Sequence, residues 1–102
     1  MGEKFRLNIQ KEKLAQFCEV YHIRKLSLFG SALLDDFTPA SDIDILIEFE
    51  SGFKIGLLKM AQIENELSDM LKRKVDLRTP GDLSRYFRQE VLENAEVEYA
   101  KG

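Results

Sequence analysis

The run Asp42-Ile43-Asp44-Ile45-Leu46-Ile47-Glu48-Phe49 constrains this chain more than any other stretch. Its β-branched content and alternation specify a strand, with Ile43, Ile45, Ile47 and Phe49 sharing one face by the period of two. Asp42 and Asp44 are then forced onto the opposite face. Strands are depleted in Asp, and two like charges side by side cost free energy unless a cation separates them. Two readings follow: a solvated strand face, or half of a metal shell. Magnesium favours the second, because it takes one or two carboxylates, keeps several waters and completes its shell with substrate phosphate.

The rest of the chain supplies what such a strand must pack against. Leu14, Phe17, Cys18 and Tyr21 recur at i, i+3, i+4, i+7 and predict a helix over about 9–22. Lys25 to Phe29 reads as a short strand stopped by Gly30, followed by Ala32-Leu33-Leu34, Asp35-Asp36 and the turn-forming Thr38-Pro39-Ala40-Ser41. A second amphipathic helix is expected over about 56–72, burying Met60, Ile63, Leu67 and Met70/Leu71. Val75-Asp76-Leu77 forms another short strand. Thr79-Pro80-Gly81-Asp82 has the form of a helix start, and Leu83, Phe87 and Val91 supply the apolar face of a last helix to about 94. The order α-β-β-α-β-α predicts a mixed α/β fold (α+β), in which a small sheet is covered on one face by helices.

At 102 residues there is room for one domain, spanning 1–102. No apolar run approaches the ~20 residues of a membrane span, and no secretory h-region follows the N-terminus, so a cytoplasmic protein is expected. The single Cys18 and single His22 exclude a Cys-rich zinc site and disfavour a Ser-His-Asp triad. Cys18 lies on the helix stripe and is expected in the core, whereas His22 should end that helix at the surface. Met60, Met70, Tyr86 and Tyr99 are read as packing residues. Net charge is −3, and residues 31–58 carry six acidic side chains against Lys54 alone. That is the reverse of a basic nucleic-acid stripe, so no direct DNA binding is expected.

Gly30-Ser31 ends one strand and precedes a turn, where backbone N–H groups can face an anion. Gly30 removes the side chain that would hold a triphosphate off, and the Ser31 hydroxyl can donate to it. The dipeptide alone is equally an ordinary strand-to-helix turn, and no P-loop motif is present. Asp76 faces away from the core. If its strand neighbours that of Asp42 and Asp44, three carboxylates meet, and Asp76 becomes a general base or a further metal ligand.

Taken together, Gly30-Ser31, ten intervening residues, Asp42-Ile43-Asp44 and a third Asp on a later strand resemble the signature of the DNA polymerase beta superfamily. Leu28-Phe29-Gly30-Ser31, Asp35-Asp36-Phe37, Ser41 to Phe49, Lys74 to Leu77 and the tail from Asp82 through Val97 look like its minimal nucleotidyltransferases. The resemblance implies the nucleotidyltransferase fold, Gly30 and Ser31 against the triphosphate of ATP, and Mg2+ (or Mn2+) on Asp42 and Asp44, with Asp76 completing the catalytic triad. It further implies an antitoxin that transfers AMP to a tyrosine of a helical HEPN ribonuclease toxin. Two other roles stay open: an antitoxin that acts by occlusion without catalysis, or transfer to a small-molecule acceptor. Relatives often carry Arg just after the Gly-Ser, where this chain has Ala32-Leu33-Leu34, leaving Arg78 as a candidate substitute.

Overall fold

A computed structural model describes residues 9–30 and 42–101. Helix α1 spans Lys11–Val20, strand β1 Ile23–Phe29 and strand β2 Ile43–Phe49. Helix α2 spans Leu57–Leu71 and strand β3 Val75–Arg78. A 3-10 turn at Pro80–Asp82, helix α3 (Arg88–Asn94) and strand β4 (Glu96–Ala100) complete the order.

The four strands form one mixed sheet in the order β3-β2-β1-β4. β1 runs antiparallel to both β2 and β4, and β2 runs parallel to β3. A parallel pair needs a crossover, which α2 provides. Ile43, Ile45 and Ile47 of β2, Leu26 and Leu28 of β1, and Val75 and Leu77 of β3 meet Leu14, Phe17 and Cys18 of α1 and Ile63 and Leu67 of α2 in one core. Each large side chain fully buried there contributes about 1.5–3 kcal/mol. Ser27 and Leu46, Cα partners at the centre of the sheet, are buried as well, although Leu46 alternates with the inward-facing isoleucines.

Two expectations fail at the C-terminal end. The helix expected to start at Thr79-Pro80-Gly81-Asp82 begins only at Arg88, because Thr79 and Asp82 close a single 3-10 turn and Leu83 leaves it in an extended conformation. Both the N–H and the hydroxyl of Thr79 donate to Asp82 Oδ2, at 3.1 and 3.0 Å. Phe87 caps α3 while 60% exposed, and α3 buries no residue. Without a buried face, a short helix has little to extend it. The second miss is β4, a fourth strand where only three were expected. Its Glu96-Val97-Glu98-Tyr99 alternation has period two, but Glu is depleted in strands and the segment is a short sheet edge. Tyr86, read as a packing residue, is instead 79% exposed.

Of the α2 residues expected to be buried, only Ile63 and Leu67 are, with Met60, Met70 and Leu71 partly buried against the core. The expectations for Cys18 and His22 hold. Cys18 is fully buried, and burial pushes its thiol up to about 12. His22 follows α1 in the left-handed region at φ 58°, stacks on Phe53 with ring centroids 3.8 Å apart, and places Nδ1 3.3 Å from Glu50. No helix among the described residues is long and apolar enough to cross a membrane.

Candidate active site

One end of the sheet gathers the chemistry. In the parallel β2–β3 register, Asp44 is the Cα partner of Asp76, and in the β1–β2 register it faces Phe29. Asp44 and Asp76 each stand between two buried apolar neighbours, Ile43 and Ile45 in one strand and Val75 and Leu77 in the other. The core therefore holds both carboxylates on the outer face. Asp42 lies one residue ahead of β2, at the mouth of the same pair of strands.

Gly30 closes the site from the β1 side. Its φ is +64°, in the region that glycine enters without a Cβ penalty. A Cβ built there would overlap Asp44 Oδ2 and stand 3.2 Å from Asp44 Cγ. Glycine is thus required twice at this position, by the backbone angle and by the approach of the Asp44 carboxylate. Ser31 and the 31–41 segment, with Asp35, Asp36 and Ala32-Leu33-Leu34, lie outside the described residues.

Basic side chains stand beside Asp76 and Asp42. Arg78, on the same strand face as Asp76, sets Nε 3.2 Å from Asp76 Oδ1 and Nη2 3.4 Å from Oδ2. Lys74 Nζ lies 3.9 Å from Asp42 Oδ2. Sequence reasoning had pointed to Arg78 but not to Lys74, whose signal was its position two residues before Asp76. Among the described residues, no three metal-ligating side chains are gathered closely enough to hold an ion by themselves. What is assembled is a face of hard carboxylate oxygens, with Gly30 closing against Asp44 from one side. That donor set suits Mg2+ better than a soft thiophilic metal.

The fold is a small mixed α/β domain with acidic side chains gathered at one end of its sheet. The nucleotidyltransferase domain family matches residues 10–98. A Methanocaldococcus jannaschii protein provisionally named a protein adenylyltransferase is 39% identical over 75 residues, covering 74% of each chain. The protein adenylyltransferase MntA of Thermococcus cleftensis is 33% identical over 74 residues, 72% of this chain and 73% of that one. Among solved structures, the tri-AMPylated Shewanella oneidensis HEPN toxin in complex with MNT antitoxin aligns at TM-score 0.63 and 19% identity. That alignment covers 89% of this chain and 70% of the other, and it speaks for the fold. The chain belongs to the nucleotidyltransferase family. It is a nucleotidyltransferase, and its substrate is a nucleotide.

Proposed function

We propose that this chain is a protein adenylyltransferase, which moves AMP from ATP to a tyrosine hydroxyl of a helical HEPN ribonuclease and so acts as its antitoxin. The observation that carries the reading is the facing of Asp44 and Asp76 across β2–β3, with Gly30 against Asp44, in a chain whose relatives carry that activity in their names.

Asp42 and Asp44, with Asp76 beside them, would hold Mg2+, which when bound supplies positive charge to the triphosphate and the departing pyrophosphate. Gly30, having no side chain, lets the Asp44 carboxylate lie against the end of β1. The Asp76 carboxylate accepts the acceptor's hydroxyl proton. The freed oxygen attacks the α-phosphorus of ATP, the bond from that phosphorus to the β-phosphate bridging oxygen breaks, and pyrophosphate leaves. A phenol suits this base, since its pKa near 10 is far below that of an aliphatic hydroxyl. Arg78 and Lys74 are the cations at hand for phosphate oxygens that the missing Arg after Gly30-Ser31 would otherwise meet.

Most of the work is positioning and charge neutralisation, which a chain of this size can supply. The partner brings the hydroxyl to the sheet edge. Co-expression with a helical HEPN ribonuclease, sought first in the adjacent reading frame, followed by intact mass of that protein, tests the reading. Added mass in multiples of one AMP, lost with Asp76→Asn, is expected. Neutralisation of the ribonuclease with no added mass would overturn transfer in favour of occlusion. Transfer to an aminoglycoside with none to protein would move the acceptor to small molecules.

A further inference from the structure

β3 is an edge strand, and the residue that bears the chemistry sits in its middle. Such a strand has one row of amides paired to its neighbour and one row pointing outward. Here the outward row is answered by side chains of α2. The Leu77 N–H donates to Glu64 Oε2 at 2.9 Å, and the Val75 N–H donates to Ser68 Oγ at 3.1 Å. Glu64 and Ser68 are four residues apart, so they share one face of α2. The amides they hold are those immediately before and after Asp76. Ser68 is fixed in turn, because its carbonyl accepts from the backbone N–H groups of Lys72 and Arg73 where the helix ends in a left-handed residue.

We infer that Glu64, assisted by Ser68, is a positioning residue that locks β3 in register and thereby holds Asp76 opposite Asp44. The β2–β3 ladder fixes this short strand from one side only; without the second attachment it can twist or slide about β2. A one-residue slip would turn Asp76 from the outer face into the core. The carboxylate of Glu64 is a stronger acceptor than a neutral group, which suits it to hold a strand of four residues. The inference rests on the proposed role of Asp76, and the experiment separates the two.

Glu64→Gln keeps an acceptor oxygen at this position, Glu64→Ala removes it, and Ser68→Ala removes the second attachment. AMP transfer to the ribonuclease partner and Mn2+ binding in the presence of ATP, read by electron paramagnetic resonance, are measured on each, alongside amide hydrogen exchange. We expect Glu64→Ala to lower kcat at least about tenfold, with the KM for ATP within about twofold, because a displaced reacting group costs rate more than ground-state binding. Glu64→Gln should recover most of that loss, Ser68→Ala should show a smaller one, and the Leu77 amide should exchange faster only in Glu64→Ala.

Equal kcat in Glu64→Ala and wild type, or a loss that Glu64→Gln fails to restore, overturns the positioning role. If Glu64→Ala does not fold, Ser68→Ala decides by the same split of kcat from KM. Full activity in Asp76→Asn would instead overturn the role of Asp76. Mn2+ binding should stay close to the wild type in all three variants, as the KM does. Should no transfer be detected in the wild type, faster exchange of the β2–β3 ladder amides in Glu64→Ala, restored in Glu64→Gln, still supports the inference, and unchanged exchange overturns it.

Discussion

Asp44 and Asp76, 32 positions apart in sequence, are direct Cα partners across the parallel β2–β3 pair. Both carboxylates stand on the sheet face opposite α1 and α2, so neither contributes to the core that holds it in place. Asp44→Asn should therefore leave the fold intact while lowering AMP transfer by about two orders of magnitude or more, as removal of a group that organises transition-state charge does. Radiolabelled transfer and a thermal melt on the same preparation check both halves.

Asp42 isolates the stability side of the same argument. Its Lys74 partner is 80% exposed and 3.9 Å away, an arrangement worth little in water. Asp42→Asn, without ligand, should melt at or above the wild type, since it also relieves repulsion from the neighbouring carboxylates. Melts with Mn2+ and ATP should show the reverse order: ligand that binds the native state stabilises the wild type by about 2.7 kcal/mol at a hundredfold excess over Kd. A lower melting temperature for the variant without ligand would make Asp42 a structural residue.

Gly30→Ala should combine two penalties. The left-handed backbone costs a non-glycine residue about 1–2 kcal/mol, and the new methyl must also displace the Asp44 carboxylate. Gly52 provides the control: its φ is +90°, but a Cβ there meets nothing within 4 Å. Gly52→Ala should destabilise through backbone strain alone and keep transfer, whereas Gly30→Ala should lose transfer. Equal activity in the two variants would show that Asp44 yields without consequence.

Cys18 should be silent in the folded protein. It is fully buried, and its thiol is pushed up to about 12, so thiolate is scarce at neutral pH. Labelling with a thiol reagent at pH 8 should proceed only at the rate of unfolding and become immediate in denaturant.

At the opposite end of the sheet, Glu50 accepts from Lys101 and lies 3.3 Å from His22 Nδ1. The Lys101 hydrogen bond is the main cause that holds the Glu50 carboxyl below its ordinary range, and the same bond raises the Lys101 ammonium. A lowered acid gives stability that is present above the unfolded pKa and lost as pH falls through the folded one. A raised base gives stability that is lost as pH rises through its folded pKa. The melting difference between wild type and Glu50→Gln should thus be largest in the neutral range and vanish in acid. Being exposed, the pair should give a small difference that shrinks further in high salt.

The strongly patterned parts of the chain could be read directly. β2 announced itself by alternation, α2 by its apolar stripe, and the outward position of Asp76 by its two apolar neighbours. The adjacency of β2 and β3 was only conditional in the sequence, because a four-residue strand carries no mark of its partner. β4 and the shortened α3 escaped for a common reason: neither buries enough side chain to impose a period against its polar residues. Glu64 and Ser68 were hidden differently. Polar residues at i and i+4 look like a solvated helix face, and only the crossover geometry turns them toward β3.

That crossover also sets when the enzyme comes into being. A chain that has paired β1 with β2 already carries Gly30 beside Asp44, yet it lacks Asp76 until α2 has wrapped over and laid β3 alongside. Parallel pairing across such a separation is slow compared with local structure, because the loop must close before its contacts reward it. If Asp76 is the base proposed above, nascent or partly unfolded chains should be inert. On the proposed role of Asp76, a competent molecule is one in which β3 has already met β2.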